Sequence, residues 1–287
     1  MMNIISRVSR YLLFLVVFLS LNVVGAQEAG LSFRGEGLGS LDSGPGDKFG
    51  SNQIALTLPL EHKSRKNESF TSYFNFDITK FDWRGTTAAQ NDYIWLSMPI
   101  EYSQQRGRSN QFLLTVEPGL MTDGNNVGFD SIGINGSVIG RRFMRNGGYW
   151  QYGVIVDRAF GDYDVRPVLG MAFQATSNTW MEIGFPEVNI KHHFSKGLQS
   201  FFVIKPAGGV WKEEVDITTS KEDETLQYNN WQIGLGADFH WRKKLWLNAE
   251  IGQLRKRRIR ATDETGARLK GTPGHDRYWQ VGAKLKF

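Results

Sequence analysis

Six consecutive positions, Arg255-Lys256-Arg257-Arg258-Ile259-Arg260, carry five cationic side chains and form the densest run of charge in the chain. Guanidinium forks and ammonium groups packed this closely recognise phosphate oxygens through charge-assisted hydrogen bonds. The alternative is a solvated strand end whose charges meet only water. The histidines offer less. His192 and His193 are adjacent, and on a strand adjacent side chains point to opposite faces, so the pair cannot close on one metal ion. With no cysteine in the chain and no carboxylate at a customary ligand spacing, no metal is expected. His240 stands two residues from Asp238, while His62 and His275 are solitary, and each reads as a polar lining residue. Nucleophilic catalysis needs a base within reach of a hydroxyl and a third group that orients the base. No Gly-x-Ser-x-Gly elbow occurs, and His275 near Asp263, Glu264 and Asp276 has only loop composition behind it. No catalytic residue and no cofactor is therefore expected.

The elements that must position these residues begin after an export signal. Arg7 and Arg10 precede an apolar run from Tyr11 to Val24, which closes on Val24-Gly25-Ala26 before Gln27. This is the pattern of a secretory signal peptide cleaved between Ala26 and Gln27, for the general secretion pathway, and its apolar core falls short of the about 20 residues of a spanning helix. Setting residues 1–26 aside leaves 27–287 as one domain with no Pro- or Ser-rich linker. Without Arg7 and Arg10 the balance is 32 basic against 29 acidic side chains, a net of +3, too small a bias to imply nucleic acid. Export without cysteine excludes disulfides and a lipoprotein anchor, so stability rests on the fold itself.

Beyond the signal, no apolar stretch approaches the length of a membrane helix, and what recurs instead is alternation. Trp231, Ile233, Leu235, Ala237, Phe239 and Trp241 share one face, with Gln232, Gly234, Gly236, Asp238 and His240 on the other. Tryptophan at both ends of such a face suits a tilted strand crossing a bilayer, with the indoles at the two headgroup levels. Leu245, Leu247, Ala249 and Ile251 then alternate against Trp246, Asn248, Glu250 and Gly252, and the intervening Arg242-Lys243-Lys244 is short enough for a hairpin. Similar faces run through Ile54–Leu60, Phe70–Ile78, Leu96–Tyr102, Phe112–Val116, Ile132–Val138, Trp150–Val156 and Met181–Phe185, through Phe202 with Ile204, and a further strand falls at 165–175. One side of every strand suits lipid and the other water. With a glycine-rich segment near Leu31–Ser40 the candidates number about thirteen; barrels of one bacterial chain use even numbers, and about twelve strands are expected, within a range of about 10–14.

Break lengths give a topology. Long breaks at 213–229 and 262–275 alternate with short ones at 195–198 and 242–244, which assigns the long ones to the outside and the short ones to the periplasm. On that topology the basic run emerges at the outer leaflet, where Arg255, Lys256, Arg257, Arg258 and Arg260 become candidate contacts for lipopolysaccharide phosphates. Arg255 and Arg257 share the outward parity of Ile251.

The last eight residues resemble the assembly signal of outer-membrane barrels, a polar residue, glycine, hydrophobic residue and terminal aromatic at fixed spacing, with Gln280, Gly282, Leu285 and Phe287 on those four places. The resemblance implies recognition by the barrel-assembly machinery. The segments Leu169–Phe173, Trp180–Pro186 and Lys205–Trp211 resemble a family of Gram-negative outer-membrane β-barrel proteins of unknown function. That likeness implies the fold and the location and brings no catalytic residue with it. The reading is thus an all-β chain, a monomeric transmembrane antiparallel up-and-down β-barrel among the lipid and lipopolysaccharide of the outer membrane, of structural or narrow-pore type. Two others stand beside it: an enzyme acting on lipid or lipopolysaccharide, and a soluble exported β-sandwich that binds a ligand.

Overall fold

The computed structural model describes residues 28–42, 46–85, 92–124, 128–217, 220–262 and 267–287, with the backbone alone for 214–217 and 220–223. The signal peptide expected from the sequence, with its cleavage between Ala26 and Gln27, lies outside these residues. The strands are β1 (Glu28–Glu36), β2 (Gly39–Ser40), β3 (Lys48–Arg65), β4 (Glu68–Arg84), β5 (Asp92–Ser97), β6 (Ile100–Arg106), β7 (Asn110–Thr122), β8 (Ile132–Phe143), β9 (Tyr149–Val156), β10 (Arg166–Thr176), β11 (Thr179–Phe185), β12 (Val188–Ser195), β13 (Leu198–Ile217), β14 (Ser220–Arg242), β15 (Leu245–Thr262), β16 (Arg268–Gly271) and β17 (Asp276–Lys286).

All of them belong to one sheet that closes on itself, because β1 pairs antiparallel with β3 on one side and with β17 on the other. Closure removes every free edge, the condition for a sheet in lipid. β5 and β6 form a single stave broken at Met98-Pro99, since both pair with β4 and with β7. β2 and β16 are short ribbons against the outer ends of β3 and β15. The wall therefore has fourteen staves, not about twelve. Two strands account for the difference. The glycine-rich first segment is a full member that closes the seam, and β12 is hidden in the sequence by the two-residue outer turn Pro186-Glu187 and by His192 on its outward face. A closed single sheet with its apolar side chains outward also disposes of the soluble β-sandwich, which buries them between two sheets.

The periplasmic turns at 66–67, 107–109, 144–148, 177–178, 196–197 and 243–244 are all short. Alternation holds where it was read most clearly: Leu235, Phe239, Trp241 and Ile251 are exposed to the outside, whereas Gln232, Asp238 and Glu250 are buried within. Pro59 sits beside a bulge in β3 and Pro99 breaks the β5–β6 stave, but Pro118 and Pro206 stand inside β7 and β13.

The outer end inverts this pattern. Along β4 the outward side chains change from Phe74, Phe76 and Ile78 to Lys80, Asp82 and Arg84, while the inward ones change from Asn75, Asp77 and Thr79 to Phe81 and Trp83. The outside passes from lipid to water, and the inside passes from a wet lumen to a dry core. The stretch 213–229 is not a loop, as its composition suggests, but the continuation of β13 and β14 as a paired hairpin. Gly208, at φ 139°, lies where β13 leaves β12; its Cβ would collide with the Tyr228 carbonyl, so this close approach admits only glycine. Beyond that point β13 reaches across to β7: Lys212 and Thr122 form a parallel bridge, and the Asp123 amide donates to the Lys212 carbonyl at 3.1 Å. β8 to β12 end below this crossing, so the fourteen-stave wall narrows to a smaller closed cap built from β3, β4, β5, β7, β13, β14 and β15. Phe49, Phe81, Tyr93, Trp95, Met121, Trp211, Leu226, Tyr228 and Ile259 fill it as a continuous core.

Candidate functional site in the lumen and its cap

The basic run is split by a bulge. Lys256 adopts φ 49°, and the β14–β15 register shifts opposite Asn229 and Trp231, so the parity of β15 reverses after this residue. Arg255 keeps the outward side, Lys256, Arg258 and Arg260 are exposed, and Arg257 turns inward. The expectation that Arg257 faces lipid is therefore wrong, because simple alternation does not survive a bulge. The Arg257 guanidinium pairs with Glu36 at 3.5 Å, donates from Nε to the Tyr228 hydroxyl at 3.1 Å, and reaches the carbonyls of Gly274 and Phe49. Tyr228 in turn donates to Glu36 at 2.6 Å. The cap is thus closed around a fully enclosed ion pair. The four outward cations stand just above the apolar belt, where Arg258 and Arg260 border a shallow hollow with Lys270 and Asp42.

Beneath the cap, the outer connection after β9 folds inward instead of away. A single 3₁₀ turn at Arg158–Phe160 is capped by Asp157, whose side chain accepts from the Ala159 amide. It carries Arg158 into the lumen, where its guanidinium pairs with Asp77 at 3.6 Å and lies 4.4 Å from the Trp95 ring and 5.3 Å from Trp211. Asn135 fixes the insertion by accepting the Arg158 amide at 3.1 Å and donating to Glu117 at 2.8 Å; Glu117 also accepts from Ser97 at 2.6 Å. On the other flank Asn229 donates to the Phe160 carbonyl, and Phe160 stacks on Phe185. Burial lowers the Arg158 pKa and raises that of Asp157, with the Asp77 carboxylate opposing the first shift and the Ala159 amide the second. The turn fills the gap left where β8 to β12 stop short. Sequence reasoning missed Arg158 because a lone arginine in a polar connection has no periodicity to show that it points inward.

The periplasmic half of the lumen contains a cavity of about 310 Å³. Its walls are polar and carry both signs of charge: Lys191 and Lys205 with Glu187 on the β12–β13 side, Asp238, Asn248 and Glu250 on the β14–β15 side, and Lys284 from β17. Gln199 donates to one Asp238 oxygen at 2.6 Å, and the Tyr278 hydroxyl donates to Glu250.

The histidines are scattered. His62 bonds Thr71 at 3.0 Å, His192 points outward to Thr179 at 2.9 Å, and His240 stacks on Trp246 at the periplasmic rim with its Nε2 2.6 Å from the Lys243 carbonyl. Two His-x-Ser spacings exist, His62–Ser64 and His193–Ser195, both at periplasmic strand ends; no hydrogen bond from either histidine to a serine or carboxylate occurs among the described residues. Three residues of the assembly-signal pattern, Gln280, Gly282 and Leu285, lie on the closing strand, and Phe287 follows its last residue. Gln280 pairs with Arg34 and Glu250, Gly282 with Ser32 and Asn248, and Leu285 with Ala29 and Leu245, while the Lys244 ammonium lies 5.4 Å from the Phe287 ring.

Comparison with solved structures agrees with this architecture. The COG4313 outer membrane channel from Pseudomonas putida F1 overlays at a TM-score of 0.51 with 11% identity, covering 93% of this chain and 97% of that one. The KdgM porin, in complex with disordered oligogalacturonate, gives 0.40 at 10% identity over 90% of this chain and 99% of its own, and LpxR from Salmonella typhimurium gives 0.39 at 10% over 91% and 100%. At 11% identity the likeness to the channel shows the fold, an outer-membrane β-barrel, and nothing of substrates. No curated protein matches the sequence. A family model described as a domain of unknown function, DUF6268, matches residues 53–269, which is most of the barrel wall, and the chain belongs to that family.

Proposed function

We propose that this outer-membrane barrel is a narrow pore for small polar solutes, shut on its outer side by the Arg158 turn and the cap. The observation that supports it is the polar cavity beneath the dry cap: a barrel serving only as a wall would gain stability by filling that space. Fourteen staves lie between eight, which side chains fill, and sixteen, which leave an aqueous channel, so the conductance is small. The proposal includes export by the general secretion pathway, insertion by the barrel-assembly machinery, a monomeric state, and contact of Arg255, Lys256, Arg258 and Arg260 with lipopolysaccharide phosphates.

Reconstitution of the purified full-length barrel in planar bilayers tests the reading. Brief, low-conductance openings are expected from the native protein, and more frequent ones when the Arg158 turn is released. Silence from both would leave a structural barrel with a sealed lumen.

A further inference from the structure

The cavity is charge-balanced yet unpaired. Among the described residues none of Lys191, Lys205 and Lys284 makes an ion pair, although all three line the same space as Glu187, Asp238 and Glu250. Like charges of one sign would be relieved by counterions, and paired charges would cancel each other. Here both signs line one space without closing an ion pair: registers between β12 and β13 set Lys191 and Lys205 beside Glu187, and the direct pairings Asp238↔Asn248 and Gly236↔Glu250 set the acceptors on the neighbouring strands, with Lys284 beyond them. Asp238 is 8% exposed, and its second carboxylate oxygen has no hydrogen-bond partner; neither has the Asn248 side-chain oxygen opposite it. A buried acceptor left open this way is unfavourable unless water or a solute fills it.

We infer that this cavity is a binding site for small zwitterions, solutes with an ammonium group for Asp238, Asn248 and Glu250 and a carboxylate for Lys191 and Lys205. A solute of one charge sign meets only the open acceptors or only the lysines, and a neutral polyol meets neither at full strength. The volume of about 310 Å³ admits a molecule of amino-acid size. The inference deepens the pore reading, which it uses only for access from the periplasmic side.

Calorimetric titration of the detergent-solubilised full-length barrel provides the test, with γ-aminobutyrate, butyrate, butylamine and glucose as probes. γ-Aminobutyrate is expected to bind at least tenfold tighter than butyrate or butylamine, a difference of about 1.4 kcal/mol. Lys205→Gln is expected to abolish the preference over butylamine and Asp238→Asn the preference over butyrate, with heat-modifiable migration unchanged in both. Equal binding of butyrate, or glucose binding ahead of the zwitterion, would overturn the inference. So would a selectivity untouched by both substitutions. Zwitterion binding by a barrel that never conducts would sink the pore reading and leave this site standing, whereas conductance without zwitterion preference does the reverse.

Discussion

Arg257 and Glu36 meet at 3.5 Å with both side chains wholly enclosed, which makes a residue of the most basic run in the chain part of its dry interior. Tyr228 bridges them, donating to Glu36 and accepting from Arg257. Removing one partner of a buried pair leaves an uncompensated charge, at a cost of about 3–5 kcal/mol. Arg257→Ala is therefore expected to lower the temperature at which the barrel loses its compact, heat-modifiable form. Its exposed neighbour behaves oppositely: Arg258→Gln should change stability by less than about 0.5 kcal/mol and instead reduce copurified lipopolysaccharide, most clearly when combined with Arg260→Gln. Equal destabilisation by Arg257→Ala and Arg258→Gln would mean that the bulge at Lys256 does not reverse parity.

The lipid-facing register has its own test at Leu235, which is 62% exposed on the outside of β14. Arginine there puts a charge into the bilayer, at about 2–4 kcal/mol near its midplane. Gln232 is a poor inward control because it is completely enclosed. Gln199 is better, since its side chain already donates to Asp238 on the adjacent strand and arginine can take over that contact. Urea unfolding in lipid vesicles should show Leu235→Arg markedly weakened and Gln199→Arg close to native. Comparable losses at both sites would refute the assigned faces.

Alternation made the membrane half of this fold legible, since only every second residue faces lipid and the face from Trp231 to Trp241 ends on tryptophan at both sides. The count of staves was less accessible. A two-residue outer turn at Pro186-Glu187 carries none of the length that marks an outside loop, so β12 was absorbed into its neighbours. The cap was written in the sequence too, in the exchange of Phe74-Phe76-Ile78 and Lys80-Asp82-Arg84 along β4, but a strand whose two faces swap character reads as the end of alternation. Of the candidate site, the inward parity of Asp238, Asn248 and Glu250 was readable from their strands. The parity of Arg257 was not, because a single bulge residue carries no compositional mark. Arg158 was not either, because its position depends on Asn135, Asp77 and two tryptophans distant in the chain.

At the seam, β17 is held between β1 and β15, so the terminal strand must be captured before the barrel can close. Phe287 stands just beyond the last paired residue, and its only ring contact among the described residues is with the Lys244 ammonium. Because Phe287 adds no strand pairing, its deletion should barely affect the finished barrel while lowering the yield of folded protein in cells severalfold. Lys286→Gln gives up an ion pair with Glu28 at 3.2 Å between half-exposed groups, worth at most about 1 kcal/mol, and should leave the yield unchanged. Quantifying heat-modifiable protein in outer-membrane fractions separates the two. An undiminished yield without Phe287 would remove the terminal aromatic from the assembly signal.

Release of the Arg158 turn is the most direct handle on the lumen. The guanidinium is held by Asp77, by two indole faces and through its backbone by Asn135, so Arg158→Ala removes the plug's side chain but strands the Asp77 carboxylate in a space it was paired to occupy. That variant alone confuses opening with destabilisation. Pairing it with Asp77→Asn removes the stranded charge, and the double variant should recover most of the lost thermal stability while keeping the lumen unplugged. In planar bilayers both variants should open more often than the native barrel, the double variant with the steadier current. If the double variant regains stability yet conducts no more than the native protein, the turn is a structural brace and the closure lies in the aromatic core of the cap.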